Sequence, residues 1–150
     1  MNLKIPPALQ TAIFAALMWI MKKATAITHF EFGQQKIVSW VIFGIGVSIG
    51  ILAVYTFKKA KTTTNPLDPG KASKLVIVSI YKVSRNPMYL GMLFILIAFA
   101  IRLGNLFTFF VPILYVWYIT TFQIKPEEKA LTKLFKDNYI DYYRRVRRWV

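Results

Sequence analysis

The chain has 150 residues, no cysteine, one histidine, 56% hydrophobic residues and a formal net charge of +14. That apolar content excludes a disordered chain, and the missing sulfur excludes disulfide scaffolds, thiolate-ligated metals and thiolate catalysis. A lone imidazole cannot furnish a His-based metal site or a catalytic triad, so no metal is expected, and a mean hydropathy of +0.45 beside strong basicity is how an integral membrane protein is composed.

The first apolar run, Ala8 to Met21, lies between Pro6-Pro7 and Lys22-Lys23. With only Lys4 ahead of it and no small-residue cleavage site behind, it reads as a short first span and not as a signal-peptide core. Residues 22 to 36, with His29 and Glu31, then form an interfacial connection. The second run, Ile37 to Phe57, has twenty-one residues without a charge. At 1.5 Å per residue that is enough to cross a hydrocarbon core of roughly 30 Å. Gly46 and Gly50 within it are a small-xxx-small pair suited to helix packing.

Residues 58 to 87 read as a cytoplasmic loop. Thr62, Thr63, Thr64, Asn65, Pro66, Pro69 and Gly70 break any continuous helix, while Leu75 to Val83 fits a short helix or a strand. A helical hairpin follows over 88 to 124: Met88 to Ile101, a turn at Arg102, Gly104 and Asn105, and an uncharged arm from Leu106 to Ile124. After Pro126 the tail, 125 to 150, reads as an amphipathic helix with Leu131, Leu134, Phe135, Tyr142 and Val146 on one face.

The expected fold is therefore all-α and integral to the membrane, a single domain with about four transmembrane helices, a cytoplasmic loop and a tail helix. Sixteen basic residues fall in the N-terminus, central loop and tail, against Lys22, Lys23, Lys36 and Arg102 on the other side. Since Lys and Arg are retained in the cytoplasm, both ends and the loop are expected there. The arginines Arg144, Arg145, Arg147 and Arg148, next to a span, suit anionic headgroups better than nucleic acid.

Two clusters carry chemistry. Arg85, Asn86 and Pro87 stand before the third span, where Asn suits an N-cap and Pro the first helical position. The helix end attracts anions and Arg85 adds a donor fork for a carboxylate, although Arg85 and Tyr89 also suit plain headgroup anchoring. Gly91 permits close approach of a ligand or of another helix. Glu127 and Glu128, an adjacent pair among only six acidic residues, either offset the dipole of the tail helix or receive an ammonium or hydroxyls.

Together these segments resemble the integral-membrane isoprenylcysteine carboxyl methyltransferase and phospholipid methyltransferase group. The first motif of that group stands here as Arg85, Asn86, Pro87, Met88, Tyr89, Leu90, Gly91. The second stands as Glu127, Glu128, Leu131, Phe135, Tyr139, Tyr142, Arg145, Val146 at matching spacing. Two departures are Ser79 and Lys136, each where the group commonly has Gly. The resemblance runs from about Asn65 to Trp149, and the first two spans align only as generic membrane helices.

The resemblance implies a methyltransferase that binds S-adenosylmethionine at the cytoplasmic end of the last two spans. Arg85, Asn86 and Pro87 would take the methionyl carboxylate, and Tyr89, Gly91 and Tyr142 would line the site. Glu127 and Glu128 would hold the ammonium or ribose, and Arg145 would lie beside the acceptor. That acceptor is expected to be lipid-like or prenylated, an isoprenylcysteine carboxylate or a lipid amine. The implied location is a multi-pass place in the cell (inner) membrane of a prokaryote, its site facing the cytoplasm. A non-enzymatic scaffold for anionic lipid or a partner, and a related membrane reductase, are the competing readings.

Overall fold

The computed structural model describes residues 5–25, 28–60 and 75–150, and these are helical with no strand among them. The breaker-rich stretch 62–70 of the expected loop lies outside the described residues. Helix α1 is Pro7–Ala24, α2 is Gln35–Lys59 and α3 is Pro87–Leu103. A 3-10 turn, Leu106–Phe109, then leads into α4, Phe110–Ile119. A π-turn over Thr120–Ile124 joins α4 to α5, Lys125–Phe135, and α6 spans Asp137–Arg145.

The breaks are local chemistry. Pro6 and Pro7 open α1, and Pro87 opens α3 at the position where a missing N–H does no harm. Gly104 ends α3 in the left-handed region (φ 59°), its N–H bonded to the carbonyls of Ala100 and Ile101. A Cβ there would stand 2.5 Å from the Phe30 carbonyl oxygen, so the turn admits only glycine. Asn105 accepts from the Phe107 N–H to start the next turn, and donates to Thr25 at the end of α1.

Contacts between helix ends show alternating directions. The start of α1 meets the π-turn through Gln10 and Gln123, and the start of α2 meets the end of α3 through Gln35 and Ile101. Near its other end α2 packs Ala53 and Phe57 against Tyr81 and Met88. Helices α1 to α4 thus run up, down, up, down, and both motif segments lie at one end. The core between α1, α3 and α4 holds Phe14, Met18, Leu96, Ala100, Val111, Tyr115 and Ile119. The outer faces stay apolar: Ile37, Trp40 and Ile51 on α2, and Phe110, Ile113 and Trp117 on α4, are exposed.

Helices α2 and α3 cross at glycine. A Cβ on Gly46 would lie 2.7 Å from the Gly91 carbonyl oxygen, and one on Gly91 would lie 2.7 Å from that of Gly46. Among the described residues two helical stretches are long and apolar enough to cross a membrane, Gln35–Lys59 and Leu106–Phe135, with Pro87–Leu103 a shorter apolar helix.

Two expectations need correction, and one alternative left open is decided for a short helical turn. The single tail helix is two, because Lys136 adopts φ 47°, ψ −124°, which stops α5 and starts α6 at a new angle. Leu75 to Val83 contains an irregular segment and then a 3-10 turn over Ser79–Lys82. The boundary at Ile124 is not a helix end, since the backbone passes from α4 through the π-turn into α5 without leaving helical angles.

Candidate functional site

The site begins with the π-turn. The Lys125 N–H reaches back five residues to the Thr120 carbonyl, which inserts one extra residue into the helix. Ile119 and Ile124, five apart, are consequently both fully buried, and Gln123 beside them is 2% exposed. Pro126 suits this place because it has no N–H to return to the opened turn. The widening aims Gln123, Glu127 and Glu128 into the bundle end. Glu127 and Glu128 sit within a continuous helix, with no free N-terminus beneath them, so offsetting a helix dipole does not account for the pair.

Glu128 is the centre of a clasp. Arg85 Nη2 donates to its Oε1 at 2.7 Å, and Arg148 donates to both oxygens, Nε to Oε1 at 3.0 Å and Nη2 to Oε2 at 2.8 Å. The side chains of Arg85 and Glu128 are only 6% and 11% exposed. Arg85 Nη1 donates in addition to the carbonyls of Tyr143 (2.8 Å) and Val146 (2.6 Å), and its guanidinium lies over the Tyr143 ring at 3.9 Å. The Glu128 hydrogen bond pushes the Arg148 guanidinium above its ordinary pKa, so that cation is permanent.

The segment after α6 lies across the start of α3. Arg85 N–H donates to the Arg147 carbonyl at 3.0 Å, while the Asn86 amide and the Ser84 hydroxyl donate to the Arg148 carbonyl at 3.0 and 3.3 Å. Asn86 occupies the N-cap position of α3, yet its side chain makes no cap hydrogen bond and serves this strap instead, which corrects the expected capping role. Trp149 Nε1 donates to Thr120 Oγ1 in the π-turn at 3.2 Å. Tyr142 fixes α6 by donating its O–H to the Tyr81 carbonyl at 2.7 Å, and burial raises its pKa, keeping it a donor.

Glu127 has a different setting. Its Oε1 accepts from the Tyr89 hydroxyl at 2.5 Å and from Gln123 Nε2 at 3.0 Å. Both partners are neutral, and among the described residues no cation pairs with it. Here two acidic side chains sit side by side: a carboxylate held by two arginines, and a buried carboxyl group held by neutral donors.

The structure brings together Arg85, Asn86, Pro87, Tyr89, Glu127, Glu128 and Tyr142. Gly91 instead faces α2, where the close approach it permits is that of a helix. Arg145 stands apart on the exposed side of α6, with Nε donating to the Asp141 carbonyl at 3.2 Å of its own helix. Sequence reasoning missed Arg148, Gln123 and Gln10. Arg148 follows the extended Val146 that ends α6, a break no periodicity signals. His29 is an exposed loop residue bridged to Asn105, away from this end.

Comparison with known proteins adds the family. The phospholipid methyltransferase family matches residues 34–138. An uncharacterized protein of Haemophilus influenzae is 41% identical over 63 residues, which are 42% of this chain and 100% of that relative. No solved structure matches the chain.

Proposed function

The chain belongs to the phospholipid methyltransferase family, a family of membrane methyltransferases, and on that premise we propose that it transfers the methyl group of S-adenosylmethionine to a lipid-like acceptor. The observation that carries this reading is the meeting of two sequence-distant segments at one bundle end, Arg85 with Glu128 at 2.7 Å and Tyr89 with Glu127 at 2.5 Å. The acceptor is a membrane lipid amine or an isoprenylcysteine carboxylate.

The residues present fit the cofactor at its cationic end. A carboxylate held only by neutral donors, Glu127, suits an ammonium. When bound, S-adenosylmethionine supplies an activated methyl on a sulfonium, so the chain needs no metal and no thiol. Its tasks are binding, alignment and exclusion of water. Tyr89 and Gln123 orient the Glu127 carboxylate. Arg85, with three internal acceptors engaged, acts as a positioning residue that locks α3 to α5 and α6 through Glu128. Asn86 and Pro87 set the start of α3, Tyr142 anchors α6, and Arg145 on its outer side is assigned to the acceptor.

The four helices are proposed to cross the cell membrane as one multi-pass domain, with this end and both chain ends in the cytoplasm, where sixteen of twenty basic residues would then lie. The test is direct. Detergent-purified protein should bind radiolabelled S-adenosylmethionine and not a nicotinamide dinucleotide, and native membrane extract should yield a labelled lipid-soluble product. Dinucleotide binding without S-adenosylmethionine binding would reverse the assignment to a reductase.

A further inference from the structure

Gln10 lies on α1, ahead of the family-matched residues 34–138. It is 6% exposed in the first turns of an apolar helix, where a polar side chain needs a reason. Its Nε2 donates to the Ile5 carbonyl at 2.8 Å and reaches Gln123 Oε1 at 3.4 Å. Those two acceptors fix the amide, since turning it over would set oxygen against oxygen. Gln10 Oε1 is left buried with no donor among the described residues. A buried acceptor without a partner is uncommon in a folded protein and marks a place where a donor is missing.

The next polar groups indicate what that donor is. Gln123 links Gln10 to Glu127, accepting from the one and donating to the other. Both donors to Glu127 fall on Oε1, and no cation pairs with it among the described residues. A neutral acceptor and a charged acceptor, one glutamine side chain apart, call for a group that is cationic and rich in N–H. We infer that Gln10 is a ligand-binding residue: its Oε1 accepts a hydrogen bond from a protonated amine that Glu127 neutralises, so α1 completes the site. This rests on the proposed methyltransferase reading. Two groups have that chemistry, the methionyl ammonium of the cofactor and an amine headgroup on the acceptor lipid.

The experiment titrates detergent-purified wild type and Gln10→Met with three probes by calorimetry: S-adenosylhomocysteine, which keeps the amine; methylthioadenosine, which lacks it; and a short-chain phosphatidylethanolamine. One charge-assisted hydrogen bond lost corresponds to about tenfold weaker binding or more. Such a loss for S-adenosylhomocysteine with methylthioadenosine unchanged supports the inference and assigns the cofactor ammonium. Loss for the phosphatidylethanolamine alone supports it and assigns the lipid amine. Equal affinities in the two proteins, or equal loss for all three probes, overturn it. Wild type that binds none of the probes overturns the methyltransferase reading, and this inference with it. Should Gln10→Met fail to fold, Gln10→Asn keeps the amide but draws its oxygen back by one methylene, and is expected to weaken binding of an amine probe with methylthioadenosine unchanged; equal affinities for all three probes overturn the inference.

Discussion

Glu127 and Glu128 are neighbours in sequence with opposite duties. Glu128 holds two arginines, one of them almost wholly buried, so removing its charge strands Arg85 in a low-dielectric place. Glu128→Gln is expected to cost about 3 kcal/mol, as loss of one partner from a buried pair does. In a chain of this size that lowers the melting temperature in detergent by about 6–12 °C. Glu127 has only neutral partners, and glutamine can still accept from Tyr89, so Glu127→Gln should leave the melting temperature within about 2 °C. Its effect belongs in calorimetry, as weaker S-adenosylmethionine binding. A double variant would confound the two. Arg145 is exposed and tied only to its own helix, so Arg145→Ala should melt like wild type and slow turnover of a verified acceptor. Unchanged turnover would remove it from the acceptor side.

At the scale of elements, the two positive-φ non-glycine residues among those described are Ser79 and Lys136, the same two positions at which the chain lacks the glycine common in the resembling group. The backbone explains that glycine: one residue opens the 3-10 turn that presents the Tyr81 carbonyl to Tyr142, and the other makes the corner between α5 and α6. Lys136→Gly should therefore stabilise by about 1 kcal/mol, seen as a rise of about 2–4 °C in melting temperature. The opposite outcome is expected at the crossing of α2 and α3, where Gly46→Ala sets a methyl 2.7 Å from a backbone oxygen and should destabilise by about 1–3 kcal/mol. Much of this was legible in the chain. Pro87 and Gly104 bracket α3 as proline and glycine do, and uncharged runs bounded by lysines located α1 and α2. The π-turn was not legible, because its cause is tertiary: Ile119 and Ile124 both need burial, and five-residue spacing meets that need only in a widened turn. The strap was equally hidden, since four arginines near a span look like headgroup contacts until one of them, Arg148, is seen to close on Glu128.

For the whole molecule, alternation of four helices sets the motif segments at one end and the α1–α2 connection, with Thr25, Phe30 and Asn105 hydrogen-bonded at the turn after α3, at the other. If the motif end faces the cytoplasm, a cysteine introduced at Lys82 should label from that side, and one introduced at Arg102 from the far side. Labelling of both from the same side would defeat the four-span arrangement. The clasp also has a consequence in time. Glu128, the counter-charge of Arg85, follows it by forty-three positions. At about 5–20 residues per second the ribosome takes about 2–9 s to bridge that interval. Through those seconds α3 exists with its anchoring guanidinium unmatched, and a charge without a counter-charge resists entry into an apolar setting. In the proposed four-span arrangement Arg85 waits in the headgroup water while α4 and α5 are made, so the motif end is the last part of the molecule to be finished. A membrane that holds the newborn helices too deep would delay completion more than it would disturb the finished fold.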